Sequence, residues 1–251
     1  TYPEDLEAMD ETAANWPVAA WKTYTQHGPK DTGYYLDDEL GQHFLDKVRK
    51  TGIKRLAVHK GLPFLQYTEN LRYASSRDVG PAATANPDIT FMIYHSGYDM
   101  RVPEGAYSRD SGSGVDDLIN SLTDSGISAT DQKNVYAEIG STWRYLMRDP
   151  DQAAHVMGKL LKYVGEDRVL WGTDSIWYGS PQDQIMAFRA FQISDEFQEK
   201  YGYPKITPEI RAKVFGLNGA EAYELSPDDV RKHTKADPVE KAKQEYAERQ
   251  D

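Results

Sequence analysis

The chain has 251 residues, of which 39% are hydrophobic and 12% aromatic, and its 40 Asp and Glu against 29 Lys and Arg give a formal net charge of −11. This apolar content is enough for a core and argues against a wholly disordered chain. The acidic excess argues against binding to nucleic acid or to an anionic membrane, because such partners require clustered basic residues. The chain has no cysteine, so any metal must be held by His, Asp or Glu.

Two further features bear on where the protein resides. No apolar run approaches the roughly 20 residues that span a bilayer, and residues 1–10 are acidic, unlike a secretory signal peptide. The sequence therefore predicts a soluble protein, and the lack of cysteine is compatible with a cytoplasmic location. The chain starts at Thr1 rather than at Met, and we expect its natural start to lie upstream.

The predicted elements begin with an acidic, helix-like stretch at residues 3–16. Downstream, short runs of β-branched or aromatic residues alternate with segments of helical periodicity, a pattern typical of βα units that form a parallel sheet. The runs are almost continuously apolar, as expected of strands buried on both faces. Five strands are predicted, at residues 18–25, 54–59, 89–95, 134–139 and 168–174.

Capping residues predict where two of the helices lie. Asp37 would cap a helix that runs to Lys50, and Gly52 would end it. Asn218, with Glu221 three residues later, has the pattern of a capping box at the start of another helix.

Two polar segments, residues 62–87 and 98–114, follow predicted strand ends, where α/β folds carry their functional loops. Beyond Leu225 the chain becomes highly charged. We therefore predict a barrel-like domain at residues 1–225 and a charged helical tail at residues 226–251.

The most informative spacing is that of the last polar residue near the end of each predicted strand. These residues are separated by 37, 36, 43 and 36 positions, about one βα unit each. In a parallel barrel the strand ends meet on one face, where the chemistry takes place. Imidazole and carboxylate groups there are suitable ligands for zinc, manganese or iron. The five residues are Lys22, His59, His95, Glu138 and Asp174.

Each of these side chains also has a structural interpretation. His59 and His95 could be buried histidines at the edge of the core, and Asp174 could cap a turn. Glu138 could be either a carboxylate of the pocket or an ion-pair partner inside the barrel. The residues alone leave these alternatives open.

Four short motifs occur in order along the chain: Ala-Val-His-Lys-Gly at residues 57–61, Ile-Tyr-His-Ser-Gly at 93–97, Trp-Gly-Thr-Asp at 171–174 and Phe-Gly-Leu-Asn-Gly-Ala at 215–220. In this order they resemble the amidohydrolase superfamily, and more narrowly amidohydrolase family 2. That branch includes metal-dependent TIM-barrel hydrolases and enzymes similar to aminocarboxymuconate-semialdehyde decarboxylase. The resemblance covers roughly residues 17–225.

The resemblance implies a role for each matching residue. His59 corresponds to the metal ligand after the family's fifth strand. His95 corresponds to the histidine after the sixth strand, which binds the metal in some members and polarises the substrate or the metal-bound water in others. Asp174 corresponds to the aspartate after the eighth strand, which contacts the metal and moves a proton. The implied cofactor is a divalent metal, first zinc, with manganese or iron as alternatives.

The chain departs from the family in one respect. Its six histidines are at least 16 residues apart, so the family's His-x-His pair is absent. The first predicted strand therefore matches the family's fourth. The expected fold is α/β, a (β/α)8 TIM-barrel type represented by strands four to eight, with a charged C-terminal helical extension. Because five strands leave two open edges, we expect a homo-oligomer or a complementing N-terminal segment.

Four residues are expected to contact a small-molecule substrate. Lys22 lies at the end of the first predicted strand, and Arg101, in the loop after His95, would bind a substrate carboxylate. Trp177 and Tyr178 would overhang the mouth of the barrel and shape an apolar pocket, or would instead pack beneath the loop.

The predicted activity is metal-dependent hydrolysis of a small organic acid, amide or lactone, in which a metal activates water, Asp174 shuttles the proton and His95 polarises. Non-oxidative decarboxylation by the same family is an alternative. A catalytically silent fragment, or a half-barrel that needs a partner chain, is another. A barrel that binds its ligand without a metal is a third.

Overall fold

The computed structural model describes residues 3–66, 68–130 and 134–249. Within these ranges, strands and helices alternate over the first two thirds of the chain, and helices follow. In chain order the elements are α1 (Pro3–Asn15), β1 (Trp21–Tyr24), α2 (Glu39–Lys50), β2 (Arg55–His59), α3 (Val79–Ala85), β3 (Thr90–Tyr94), α4 (Gly114–Asp124), β4 (Val135–Glu138), α5 (Thr142–Leu146), α6 (Pro150–Lys159), β5 (Val169–Leu170), α7 (Ser175–Tyr178), α8 (Gln182–Ala190), α9 (Asp195–Tyr201), α10 (Pro208–Ala212), α11 (Asn218–Ala222), α12 (Pro227–Ala236) and α13 (Pro238–Glu248).

The five strands form one parallel sheet in the order β1-β2-β3-β4-β5. The prediction of five parallel strands is confirmed, although β5 spans two residues rather than seven. Neighbouring parallel strands in chain order are consistent with part of a TIM barrel. The register aligns one residue of each strand in a single row, and these are Tyr24, His59, Tyr94, Glu138 and Leu170.

The two faces of the sheet have different surroundings. One face belongs to the main core, where strand residues such as Val58 and Ile93 cluster with Leu45 of α2 and Leu118 of α4. We call the other face the site face, because it carries the aligned row. There a small cluster of strand residues packs against the end of α11, and its members are Ala57, Met92, Tyr136, Leu170 and Ala222.

Buried ion pairs anchor the loops that follow the strands. Lys60, directly after β2, donates to Asp78 at 2.8 Å, and both side chains are fully buried. Lys159 of α6 donates to Glu104 at 2.5 Å and to Asp116 of α4 at 2.6 Å. Because separating the pairs of Lys159 would leave buried charges without a partner, its contacts hold the loop of residues 98–113 against α4 and α6.

Both capping predictions are wrong in detail. The cap of α2 is Asp38, not Asp37, because the Asp38 carboxylate accepts from the Gly41 N–H at 2.8 Å. Asn218 is the first residue of α11, but its side chain does not cap a helix end. A π-helical turn at residues 213–217 joins α10 to α11, and the Asn218 amide donates to the carbonyl of Val169 at 2.9 Å instead.

The charged tail forms α12 and α13, whose described residues are almost all exposed. Helix formation in this region matches the expectation, whereas its division from residues 1–225 as a separate domain stays a prediction. In the described part of the chain, no helix combines the length and apolarity needed to cross a membrane.

Candidate active site

Backbone conformation brings the strand-end residues together. His59 is the last residue of β2, whereas His95 is the first residue after β3 and Asp174 follows β5 by four positions. His95 and Ser96 have φ values of 71° and 52°, and Gly97 continues this left-handed turn at 77°. Asp174 is also left-handed, at 52°. Such φ values are rare outside glycine, so the surrounding contacts must hold these side chains in place.

A cavity of about 460 Å³ lies at the carboxyl ends of the strands. It brings together six of the seven residues predicted to form the site, and Arg101 is not among its lining residues. Arg101 instead makes a bidentate ion pair with Asp99, at 2.8 and 2.5 Å. The cavity is lined by Lys22, Tyr24, His59, Leu62, Pro63, Phe64, Leu65, Gln66, His95, Met100, Ser141, Tyr145, Asp174, Trp177 and Tyr178.

The two histidines face each other. Nδ1 of His59 lies 3.1 Å from Nε2 of His95, and both rings are buried. The remaining nitrogen of each ring meets a backbone carbonyl: His59 Nε2 is 3.2 Å from Leu62 O, and His95 Nδ1 is 2.6 Å from Gly140 O. Since a carbonyl oxygen only accepts, the close contact with Gly140 places the proton of His95 on Nδ1. His95 Nε2 therefore holds a lone pair that faces His59 Nδ1 when the rings are neutral.

Burial keeps both rings neutral. It is the largest cause that lowers the pKa of His59 to about 3, and the neighbouring His95 lowers it further. Burial also lowers the pKa of His95, against the opposing effects of the Gly140 carbonyl and of Asp174. At neutral pH, His95 thus presents an unprotonated Nε2 that can accept a proton or bind a cation.

The facing nitrogens have the donor chemistry of a divalent metal site. His95 Nε2 offers a lone pair, and His59 Nδ1 offers a second one when the proton of His59 lies on Nε2, toward the Leu62 carbonyl. The nearest carboxylate is Asp174, whose Oδ2 lies 4.0 Å from His95 Nε2. Among the residues described, however, no three His, Asp or Glu side chains form a group able to hold a metal ion. His59, His95 and Asp174 thus offer ligand atoms of a suitable kind, but the described residues alone do not complete a metal site.

A chain of hydroxyl groups orients Asp174. The Ser141 hydroxyl donates to Asp174 Oδ2 at 2.6 Å, and it accepts from the Tyr178 hydroxyl at 3.0 Å. Asp174 and Tyr178 were predicted to belong to the site, but Ser141 was not. Its position directly after Gly140, beyond the end of β4, was the available signal.

Lys22 extends from β1 over the site face. Its Nζ lies 3.4 Å from the centroid of the Tyr94 ring, a cation–π contact, and no carboxylate in the described residues pairs with it within 4.0 Å. Lys22 is an exposed residue, yet desolvation of its charge lowers the pKa of Lys22 to about 8, against the attraction of Glu138 and Asp174. Lys22 thus lines the cavity as a cation without an ion-pair partner among the described residues.

Glu138 lies behind the histidines and does not line the cavity. Burial raises the pKa of its carboxyl to about 7, although the backbone N–H groups of Gly140 and His95 favour the ionised form. In the described residues it has no ion-pair partner within 4.0 Å. The structure thus matches neither role considered for this residue, pocket carboxylate or ion-pair partner.

Aromatic side chains form the wall beside His59. The rings of Tyr24 and Phe64 stack on the His59 imidazole, with centroids 5.0 and 4.8 Å away. Trp177, on α7, is 75% exposed at the mouth. The sequence analysis did not identify Tyr24 or Phe64, and Phe64 carries no signal beyond its position in the loop after His59.

The comparisons with known proteins give one match. A family model described as "Amidohydrolase", of amidohydrolase family 2, matches residues 6–225. The comparison with curated proteins and the comparison with solved structures found no match.

Proposed function

We propose that this chain, which belongs to the amidohydrolase family, is a metal-dependent hydrolase of a small organic acid, amide or lactone. The observation that carries the proposal is the meeting of three groups at one cavity. The facing nitrogens of His59 and His95 lie 3.1 Å apart, and Asp174 Oδ2 lies 4.0 Å from the second of them. Perturbed histidines and a carboxylate that converge in a cleft are typical of catalytic sites.

His95 and Asp174 are the proposed catalytic residues. The Gly140 carbonyl fixes the proton of His95 on Nδ1, which leaves Nε2 as an acceptor for a proton or a hydrogen bond. Because 4.0 Å is too long for a direct hydrogen bond, one atom of a substrate or a water can lie between Nε2 and Asp174. Asp174, oriented by Ser141, would then take up and return the proton.

His59 and Asp174 would hold the metal, with His95 beside them. When bound, zinc, or alternatively manganese or iron, lowers the pKa of a water molecule toward neutrality and so supplies the nucleophile. Since a tight zinc site usually has at least three protein ligands, we propose that further ligands come from a complementing segment or from a partner chain. The sheet would then represent strands four to eight of a (β/α)8 barrel.

Lys22, Trp177 and Tyr178 would bind the substrate. Lys22 supplies a positive charge for a carboxylate, and the two aromatic residues cover the mouth of the cavity. Arg101 would reach a substrate only after leaving Asp99. Non-oxidative decarboxylation is the second candidate, because the unpaired Lys22 ammonium favours a substrate that carries a carboxylate.

The proposal is tested by metal binding and activity of purified protein. We expect it to bind zinc, manganese or iron and to hydrolyse members of a panel of amides, lactones and esters of small acids. His59→Ala should lose the metal, and Asp174→Asn should lower kcat by about 10²-fold or more. His43→Ala, at an exposed position of α2, is the control and should change neither.

Two outcomes would contradict the mechanism. A chain that binds no divalent metal and keeps its activity in His59→Ala does not use this site as proposed. Release of carbon dioxide without uptake of water would replace hydrolysis by decarboxylation. A chain that gains activity only with an added segment or partner chain would identify the half-barrel alternative.

A further inference from the structure

We infer that Glu138 is a positioning residue: its carboxylate fixes the loop that holds His95 in the Nδ1–H form with Nε2 facing His59. The role of this geometry in catalysis rests on the proposed function. The geometry itself can be measured without any substrate.

Three hydrogen bonds join Glu138, His95 and Gly140 in a closed ring. The His95 backbone N–H donates to Glu138 Oε2 at 3.3 Å, and the Gly140 backbone N–H donates to Glu138 Oε1 at 2.7 Å. The His95 imidazole closes the ring, because its Nδ1 donates to the Gly140 carbonyl at 2.6 Å. One carboxylate thus aligns both the backbone of His95 and the carbonyl that selects its tautomer.

Two glycines leave room for this carboxylate. A Cβ atom at Gly172, or at Gly140, would overlap Oε1 of Glu138. Gly172 has no positive φ that would by itself call for glycine. Its missing side chain is therefore explained by the close approach of the Glu138 carboxylate.

Within this closed ring of hydrogen bonds, Glu138 must accept two hydrogen bonds from backbone N–H groups, and this requires a carboxylate. Both oxygens of Glu138 accept from backbone N–H groups, which requires the ionised carboxyl group that predominates above its pKa of about 7, so the geometry is measured at a pH above 7. A glutamine of the same size has one oxygen, so its NH₂ group would face one of the two N–H groups. Because a buried donor left without an acceptor is unfavourable, the loop at His95 or at Gly140 must then move.

Two hydrogen bonds to backbone carbonyls join the loop after β3 to β4 and the loop after β4, and neither involves the Glu138 carboxylate. They should remain when Glu138 is substituted. The Ser96 hydroxyl donates to the backbone carbonyl of Glu138 at 2.8 Å. The Thr142 hydroxyl donates to the backbone carbonyl of His95 at 3.0 Å. Removal of the carboxylate should therefore disturb the orientation of the imidazole before it disturbs the fold.

The test uses ¹⁵N-labelled full-length protein and NMR of the histidine ring nitrogens, with the His95 signals assigned by their loss in His95→Asn. We expect wild-type His95 to show a protonated Nδ1 and an unprotonated Nε2. In Glu138→Gln we expect loss of the Nδ1–H form as the dominant tautomer. Gly172→Ala displaces the carboxylate without changing its charge, and it should give the same loss.

Glu209→Gln, an exposed change on α10, is the control and should leave the His95 signals unchanged. If Glu138→Gln does not fold, as judged by circular dichroism, Gly172→Ala decides the question. Unchanged His95 ring signals in a folded Glu138→Gln or Gly172→Ala variant would overturn the inference. Absence of hydrolysis in the wild type would contradict the proposed function and leave the tautomer result intact.

A further readout separates positioning from a purely structural role. In protein that hydrolyses a substrate, Glu138→Gln should lower kcat by about tenfold or more, while KM stays close to wild type, because Glu138 does not line the cavity. A fall in thermal stability with kcat unchanged would show that Glu138 serves the fold alone.

Discussion

Lys22 pairs its ammonium with an aromatic ring rather than with a carboxylate, and this arrangement affects stability. Its pKa is about 8 in the folded protein, against an ordinary value of 10.5. Between these values the unfolded chain binds more protons than the folded chain, so stability should rise with pH across this window. The burial penalty of the charge is fully present below the folded pKa and disappears as Lys22 becomes neutral.

Lys22→Met should remove this dependence. We expect the urea midpoint of the variant to exceed that of the wild type at neutral pH and the difference to shrink toward pH 10.5. Lys205→Met, at an exposed position, is the matched control and should show no such change. A constant difference between Lys22→Met and wild type at every pH would show that Lys22 does not titrate differently in the two states.

The sequence predicts a site residue where its position at the end of a strand is enough to place it near the cavity. His59 ends β2, His95 follows β3 and Asp174 follows β5, and the carboxyl ends of these parallel strands lie at one edge of the sheet. The ring contacts were not predictable, because the groups that set the tautomers are the carbonyls of Leu62 and Gly140. Every residue carries such a carbonyl, so no sequence pattern marks these two.

Helices α4 and α6 are joined by the buried amine of Lys159, which meets Glu104 and Asp116. Lys159→Met would leave two buried carboxylates without a cation. We expect a loss of about 3–5 kcal/mol in the free energy of unfolding, measured by urea denaturation. Lys162→Met, one turn away and exposed, removes a hydrogen bond to the Tyr201 carbonyl and an exposed cation–π contact with Tyr163, and should change the free energy of unfolding by less than about 1.5 kcal/mol.

Equal effects of the two substitutions would contradict this account. A loss of stability in Lys159→Met with no change in activity would show that the ion pairs of Lys159 serve the fold and do not affect the cavity. Near wild-type stability in Lys159→Met would mean that the two carboxylates become neutral on their own.

The sequence predicts whether a segment forms a strand or a helix better than it predicts the first and last residue of that segment. The apolar runs identify β2 to β5 because strands buried on both faces consist almost entirely of apolar residues, whereas β1 alternates exposed and more buried residues. The error at Asn218 has a tertiary cause: its amide donates to Val169 and Glu166 carbonyls beside β5. A local capping pattern carries no information about such distant acceptors.

At the scale of the whole molecule, the described sheet ends at β1 on one side and at β5 on the other. Three exposed apolar residues, Leu217, Leu225 and Val230, also line one surface cavity of about 790 Å³ beside α12. Open sheet edges and apolar patches are typical of association surfaces. The protein should therefore self-associate.

Sedimentation equilibrium over a range of concentrations measures this association. We expect wild-type protein to form dimers or larger species and Leu217→Asp to shift the equilibrium toward the monomer. Met186→Asp, a similarly exposed apolar position on α8, is the control and should behave as wild type. A compact monomer at all concentrations would contradict the expectation.

The architecture was predictable from the alternation of strands and helices, since parallel neighbours in chain order require a helix or loop between each pair. Closure into a barrel was not predictable from β1 to β5, because closure depends on which groups meet the two outer strands. At β5, the Trp171 N–H donates to the Val214 carbonyl in the π-helical turn after α10. That hydrogen bond joins residues that are 43 positions apart. Both groups belong to the backbone, so the sequence does not indicate that they meet.

The left-handed turn at residues 95–97 has a consequence for how such sites are recognised. Two of its three residues are not glycine, and each adds about 1–2 kcal/mol of conformational energy. The tripeptide His-Ser-Gly would therefore adopt another shape in most proteins. The contacts that position this histidine come from β2, β4 and the loop after β4. Placing the tripeptide in a different scaffold would therefore not reproduce the site.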